Sequence, residues 1–175
     1  MTIERVGIIG GGQMGGGIAE VCVKSGVDTI VVEINDDLVA RSKAGIEKSL
    51  VKAVDRGKLD PNARDAAMSK LAFSTNRGSL ADRDLVIEAV IENEDLKREI
   101  FSDLDRIVES PDAILATNTS SIPVTRIALA TSRPEFVVGM HFFNPAPVMR
   151  LVEVVSTITT APDVAATVLL SLIHI

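Results

Sequence analysis

Three groups of residues in this sequence have the types and spacing to do chemistry. Gly10, Gly12 and Gly15 form a G-x-G-x-x-G string directly after the β-branched run Val6 to Ile9. In that context the first glycine permits a tight turn, the second lets backbone approach a pyrophosphate, and the third lets helix and strand pack closely. A helix opening there adds unpaired N–H groups and a partial positive charge. Glu33 lies eighteen residues past Gly15, at the end of the next apolar run. A carboxylate at about that distance accepts hydrogen bonds from an adenosine ribose. It also repels a 2′-phosphate, so the pattern favours NAD over NADP.

The second group is Asn118-Thr119-Ser120-Ser121, directly after an apolar strand pattern. Ser121, before Ile122-Pro123, reads as a helix cap. Asn118 and Ser120 read as functional. The third group is His141-Phe142-Phe143-Asn144-Pro145, with Glu153 twelve residues after the histidine. A loop holding Pro145 and Pro147 could fold back and bring His141 to Glu153. A carboxylate then fixes the imidazole tautomer and stabilises the imidazolium, which suits a general base. His174 has no such setting and is given no role.

These groups need elements to position them. Short apolar runs at Val6–Ile9, Thr29–Ile34, Leu71–Ser74, Leu85–Ile91, Ala113–Ala116, Phe136–Met140 and Leu151–Val155 predict strands. Helical spacing predicts helices over Gln13–Lys24, Asp36–Arg56, Pro61–Lys70, Glu94–Val108 and Ser121–Ala130, with another from Asp163 onward. Asn35 or Asp36 would cap the second helix, and Asp60 before a Pro marks the start of the third. Strands alternating with helices imply an α/β fold, a doubly wound and mainly parallel sheet of Rossmann type. Ligands in such sheets bind at the carboxyl ends of the strands. Gly10 to Gly15, Glu33, Glu92, Thr117 to Ser121 and His141 all fall at such ends.

Composition narrows the partners. Hydrophobic residues make up 46% and charged residues 24%, the balance of a globular domain. The net charge of −6, the absence of Trp and Tyr and the lack of a basic block argue against nucleic acid. No apolar run reaches the roughly 20 residues that span a membrane. The start carries acid and runs straight into a strand pattern, unlike a signal peptide, so the reading is cytoplasmic. The lone cysteine, Cys22, reads as a small buried apolar residue. No metal-ligand cluster is read from the pattern.

With these motifs in order, the chain resembles the L-3-hydroxyacyl-CoA dehydrogenases, with bacterial 3-hydroxybutyryl-CoA dehydrogenases as the nearest subgroup. The resemblance rests on Gly10-Gly11-Gly12-Gln13-Met14-Gly15 with Gly17-Ile18-Ala19, and on Val86-Ile87-Glu88-Ala89-Val90-Ile91-Glu92-Asn93. It rests equally on Asn118-Thr119-Ser120-Ser121, and on His141-Phe142-Phe143-Asn144-Pro145 through Leu151-Val152-Glu153-Val154. It runs from Val6 to about Val168. It implies that His141 removes the proton of a 3-hydroxyl, that Glu153 orients His141, and that Ser120 hydrogen-bonds the substrate oxygen. It implies that Gln13, Met14, Glu92, Lys97 and Asn118 join Gly10, Gly12, Gly15 and Glu33 around NAD. Ser49, Arg56 and Lys58 match the region that meets the CoA portion.

The resemblance further implies a following helical domain that supplies a dimer interface, a further catalytic asparagine and cover for the acyl chain. Residues 1–170 then read as the dinucleotide-binding domain. Residues 171–175 look unlike the family's continuation and read as a truncation scar or artefact. Two other readings stay open. The chain could bind NAD and catalyse nothing by itself, or its relatives could act on a free hydroxy acid or sugar acid.

Overall fold

The structure, a computed structural model, describes residues 2–174, excluding the side chain of His174. The chain order is β1 (Arg5–Ile9), α1 (Gln13–Lys24), β2 (Asp28–Val32), α2 (Asp36–Asp55), α3 (Pro61–Ser69), β3 (Leu71–Ser74), β4 (Leu85–Glu88) and α4 (Glu94–Ile107). It continues with β5 (Ile114–Thr117), α5 (Val124–Ala128), β6 (Val137–Phe142), β7 (Val152–Val155) and α6 (Pro162–His174). Short 3-10 turns over Arg77–Leu80 and Pro134–Phe136 lead into β4 and β6.

The seven strands form one sheet in the order β3-β2-β1-β4-β5-β6-β7. Every neighbouring pair is parallel except β6 and β7, which run antiparallel. The chain runs outward from β1 to β3, then returns to place β4 on the other side of β1. The crevice above β1 and β4 is therefore the topological switch point where such sheets bind ligands.

Side chains alternate across the central strands, and each face is covered. On one face Ile8, Val31 and Ile87 pack on Ile18 and Cys22 of α1, Ile46 and Leu50 of α2, and Val168 of α6. On the other, Ile9, Val86 and Leu115 pack on Ile100, Phe101 and Leu104 of α4 and Ile127 of α5. Such two-sided burial explains why the strands read as continuous apolar runs. Cys22 is fully buried, and burial pushes its thiol up to about 12, so it stays protonated.

The helix starts follow local side-chain chemistry. Asn35 accepts the Leu38 N–H at 2.9 Å, Asp60 accepts the Asn62 N–H at 2.8 Å, and Asn93 accepts the Leu96 N–H at 2.9 Å. Acidic residues in the first turns of α2 and α4 add to this through the helix dipole. Among the described residues, no helix is long and apolar enough to cross a membrane.

Several boundaries differ from those the sequence predicts. β4 stops at Glu88 rather than Ile91, because the Glu88 carboxylate takes the Val90 N–H at 2.7 Å and turns the chain. β6 extends to Phe142, so His141 lies inside the strand and not beyond it. The short helix α5 begins at Val124, and Ser121 is not its cap. The N–H and hydroxyl of Ser121 both donate to Glu92 instead. The helix expected from Asp163 onward is α6, which includes Ser171 to His174; Ile175 lies outside the described residues.

Candidate active site

The glycine-rich turn is built for close approach. Gly10 has φ +87°, a backbone conformation that side chains disfavour. A Cβ on Gly15 would sit 1.7 Å from the Gly10 carbonyl oxygen, so only glycine lets α1 press against the end of β1. A Cβ on Gly12 would meet nothing within 4 Å. Gly12 is the N-cap of α1 and offers no side-chain cap, and the first turn of α1 carries no acid. The N–H groups at the start of α1 therefore face open space with no acid in the helix's own first turn, which fits a pyrophosphate.

Glu33 follows β2 and is half-buried. Its Oε1 accepts the Gly11 N–H at 2.7 Å, which holds the carboxylate beside the turn. A cleft of about 560 Å³ opens there between Glu33 and the segment after β4. Ile34 and Ile91, 79% and 74% exposed, stand on its walls. Exposed apolar walls beside this carboxylate suit a flat adenine ring. The residues present thus fit a dinucleotide.

The second part of the site lies over the ends of β5, β6 and β7. The antiparallel register sets His141 directly opposite Glu153, and the His141 Nδ1 lies 2.9 Å from Glu153 Oε2. An ionised carboxylate only accepts, so Nδ1 carries a proton, and in the neutral ring Nε2 holds the lone pair. Phe143 packs its ring against the imidazole, with centroids 4.7 Å apart. Asn118 ties the two strand ends together: its Oδ1 accepts the Phe142 N–H at 2.8 Å.

The Asn118–Ser121 loop is gathered by one carboxylate. Glu92 Oε1 accepts the Thr119 hydroxyl, the Ser121 hydroxyl at 3.0 Å, and the Ser120 and Ser121 N–H groups at 3.2 Å each. Burial pushes the Glu92 carboxyl up, but bonds from Thr119 and Ser121 and the Lys97 charge outweigh it and hold it down at about 2. Ser120 is exposed, and its hydroxyl has no partner among the described residues. It is free to meet a ligand.

The remaining sequence-predicted residues fall in three places. Lys97 is buried, and its ammonium points to Glu88 at 2.6 Å and Glu92 at 3.4 Å. Met14 is half-buried and packs on the core. Gln13 is exposed, and its Nε2 donates to Asn144 Oδ1 at 3.2 Å. That bond crosses a second cleft, of about 470 Å³, between α1, α2 and the loop joining β6 to β7. Ser49 lines the same cleft. Arg56 and Lys58 are exposed just past the end of α2. Ser49 and Arg56 are seven residues apart, so they share a helix face about two turns apart.

Sequence reasoning gave no role to Glu88, Thr117 or Asn144. Glu88 carried the clearest missed signal, an acid inside a fully apolar strand, since a buried charge requires partners.

Comparison with known proteins bears on the same span. The family described as "3-hydroxyacyl-CoA dehydrogenase, NAD binding domain" matches residues 5–173. The chain is 51% identical over 165 residues to a 3-hydroxybutyryl-CoA dehydrogenase of Mycobacterium tuberculosis, covering 94% of this chain and 58% of that protein. It is 42% identical over 168 residues to the mitochondrial hydroxyacyl-coenzyme A dehydrogenase of Homo sapiens, covering 92% of this chain and 53% of that protein. The crystal structure of (S)-3-hydroxybutyryl-CoA dehydrogenase from Ralstonia eutropha superposes with a TM-score of 0.96 at 39% identity, over 99% of this chain and 61% of that one. The chain thus spans a little over half the length of the curated relatives it matches.

Proposed function

The chain belongs to the 3-hydroxyacyl-CoA dehydrogenase NAD-binding domain family, and from that premise we propose that it carries the cofactor site and the acid–base machinery of an NAD-dependent dehydrogenase. The reaction would interconvert an L-3-hydroxyacyl-CoA and the 3-oxoacyl-CoA. The observation that carries this reading is the His141–Glu153 pair, set face to face by strand register beside the Ser120 hydroxyl loop.

Gly10, Gly12 and the start of α1 would hold the pyrophosphate, and Glu33 the adenosine ribose. Bound NAD supplies a hydride acceptor for C3 of the substrate. His141 Nε2 takes the proton of the 3-hydroxyl. Glu153 stabilises the imidazolium that results and keeps the ring in one tautomer. Ser120 donates to the same oxygen as it becomes a ketone. In the reverse direction His141 returns the proton. The names of the relatives support a short acyl-CoA such as 3-hydroxybutyryl-CoA as the substrate. The cleft lined by Ser49 and Asn144 is where this reading places the CoA portion. Dimerisation and cover for the acyl chain fall, in this reading, to parts of the relatives that lie outside the matched span.

The test is to mix the chain with NADH and acetoacetyl-CoA and follow the loss of NADH absorbance, with NADPH in parallel. Turnover with NADH is expected. Preference for NADPH would sink the role given to Glu33.

A second reading is favoured by one observation. A groove of about 670 Å³ between α1, α6 and the loop after β6 is walled by Val148, Leu151, Leu169 and Ile173, all more than 40% exposed. Uncovered apolar walls of this kind suit a unit that binds NADH but needs a further protein surface to exclude water for turnover. NADH binding by fluorescence without turnover would support it.

A further inference from the structure

The cleft between α1, α2 and the loop after β6 holds two buried polar side chains without a hydrogen bond among the described residues. Glu20, on α1, is 3% exposed. Lys24, one turn further along the same helix, lies 3.6 Å from its Oε1, an ion pair without a hydrogen bond. Glu88 is buried to the same degree, and its carboxylate accepts from Lys97, Val90 and Thr117. Ser42, on α2, is 6% exposed, and its hydroxyl has no partner either. Glu20 and Ser42 line the same cleft.

Stability does not account for Glu20. An i, i+4 ion pair supports a helix only slightly. An apolar side chain would fill the space without desolvating a carboxylate. The α2 wall carries a matching sign. Gly45 lies in the middle of α2, where glycine weakens a helix. It lines the cleft, and a Cβ there would meet nothing within 4 Å, so close packing on protein does not require it. A buried carboxylate with unused lone pairs calls for donors. A phosphate would be repelled by it. An uncharged segment bearing N–H or O–H groups fits. In CoA that describes the arm between the phosphates and the sulfur, with its amides and hydroxyl. Glu33, the other acid lining the cleft, is tied to the Gly11 N–H.

We propose that Glu20 is a binding residue for the amide-bearing arm of the thioester ligand. Its carboxylate accepts an N–H or O–H of the arm within this cleft, and Gly45 leaves the arm room on the opposite wall. The assignment rests on the reading that places CoA in this cleft, and it adds to that reading which part of CoA lies against α1.

The test compares the wild type with Glu20→Leu and Glu20→Gln. The probes are CoA and adenosine 3′,5′-bisphosphate, a portion of CoA without the arm. Affinities are read by NMR titration of the backbone amides, beside thermal melting. In the wild type, CoA should shift the signals of Gly16, Gly17 and Glu20, which line the cleft, and the bisphosphate should leave them in place. Glu20→Leu removes a buried charge that holds no hydrogen bond, so it should melt no lower than the wild type. It should bind CoA about tenfold more weakly, as for one lost hydrogen bond to a charged group, with bisphosphate affinity unchanged. Glu20→Gln keeps an acceptor oxygen and should fall between the two. Unchanged CoA affinity in Glu20→Leu overturns the proposal. So does an equal loss for both probes, which would mark a structural role. Should Glu20→Leu fail to fold, the wild type still decides, because CoA binding that leaves Gly16, Gly17 and Glu20 unmoved overturns the proposal as well. A wild type that binds NADH but not CoA would sink the placement of CoA in this cleft, and the proposal with it. CoA binding that survives Glu20→Leu sinks the proposal alone.

Discussion

The two halves of the site are built from different materials. The dinucleotide half is backbone: a positive-φ glycine, a glycine with open space over it, a glycine pressed on a carbonyl, and the bare start of α1. Its turn lies between β1 and α1, with the Glu33 carboxylate after β2 holding it and the exposed Ile34 and Ile91 walling the cleft beside it. The chemical half is side chain, and it comes from four separated segments: Glu88 to Lys97, Thr117 to Ser121, His141 to Asn144, and Glu153. A backbone site fails by steric intrusion. A side-chain site fails by losing a functional group while the fold stands.

The sharpest way to break that contrast is at Gly15. Its Cβ would meet a carbonyl oxygen of the backbone, which cannot swing aside. Gly15→Ala should lower stability by about 3 kcal/mol, the upper range for overpacking, and abolish NADH binding. Melting and NADH fluorescence titration check both effects. Gly12→Ala is the control within the same turn, since its Cβ meets no protein atom. It should melt like the wild type and still bind NADH at least tenfold more weakly. Equal binding losses with equal melting losses would mean that Gly12 serves the fold and not the ligand.

In the chemical half, His141→Gln should lower kcat by about 10² to 10⁴ and leave NADH affinity nearly unchanged. Stopped-flow turnover beside fluorescence titration separates the two. Loss of NADH binding together with turnover would count against a chemical role for His141.

The same contrast governs what could be read in advance. The β1–turn–α1–β2 unit is legible because its signals are local: an apolar run, three glycines, helical spacing and an acid at a fixed distance. The His141 and Glu153 pair was legible only as a spacing, and the antiparallel register of β6 and β7 supplies the reason. Where the reading failed, a side chain from another segment had taken over a local signal. Ser121 has the sequence of a helix cap, but Glu92, from the loop after β4, takes its N–H and its hydroxyl. Ala89 to Ile91 continue an apolar run, but Glu88 turns back on its own chain and ends the strand early. The turned-out residues then wall the cleft beside Glu33. Long-range competitors of this kind leave no periodic trace.

Glu92 offers a smaller test by pH. Its carboxyl is held at about 2 when folded, against 4.5 for the unperturbed group. A carboxylate with a depressed folded value adds stability above its unfolded pKa, and that gain is lost as pH falls toward the folded value. The melting difference between the wild type and Glu92→Gln should therefore be full at pH 7, begin to shrink below about pH 4.5 and vanish near pH 2. Because the side chain is partly exposed, solvent screening keeps the full difference modest. A difference that stays constant from pH 7 to pH 2 would show that Glu92 acts by packing and not by charge.

The smallest expected effect falls at a side-chain bond that joins the two halves. Gln13 begins α1, at the edge of the glycine-rich turn, and its amide donates to Asn144, three residues past His141. The bond is 3.2 Å long and exposed, so water can replace it on either side. Gln13→Ala should change stability by less than about 1 kcal/mol, within the net worth of one such bond. NADH affinity should hold, because the groups proposed to meet the phosphates are backbone. What the bond does constrain is the width of the cleft between α1 and the loop after β6, where Ser49 and Asn144 stand on opposite sides. Removing it should therefore raise KM for acetoacetyl-CoA by a few fold with kcat unchanged, the signature of lost uniform binding. If kcat fell instead, with KM unmoved, the bond would belong to the chemical half, and the division between a backbone site and a side-chain site would not hold at its seam.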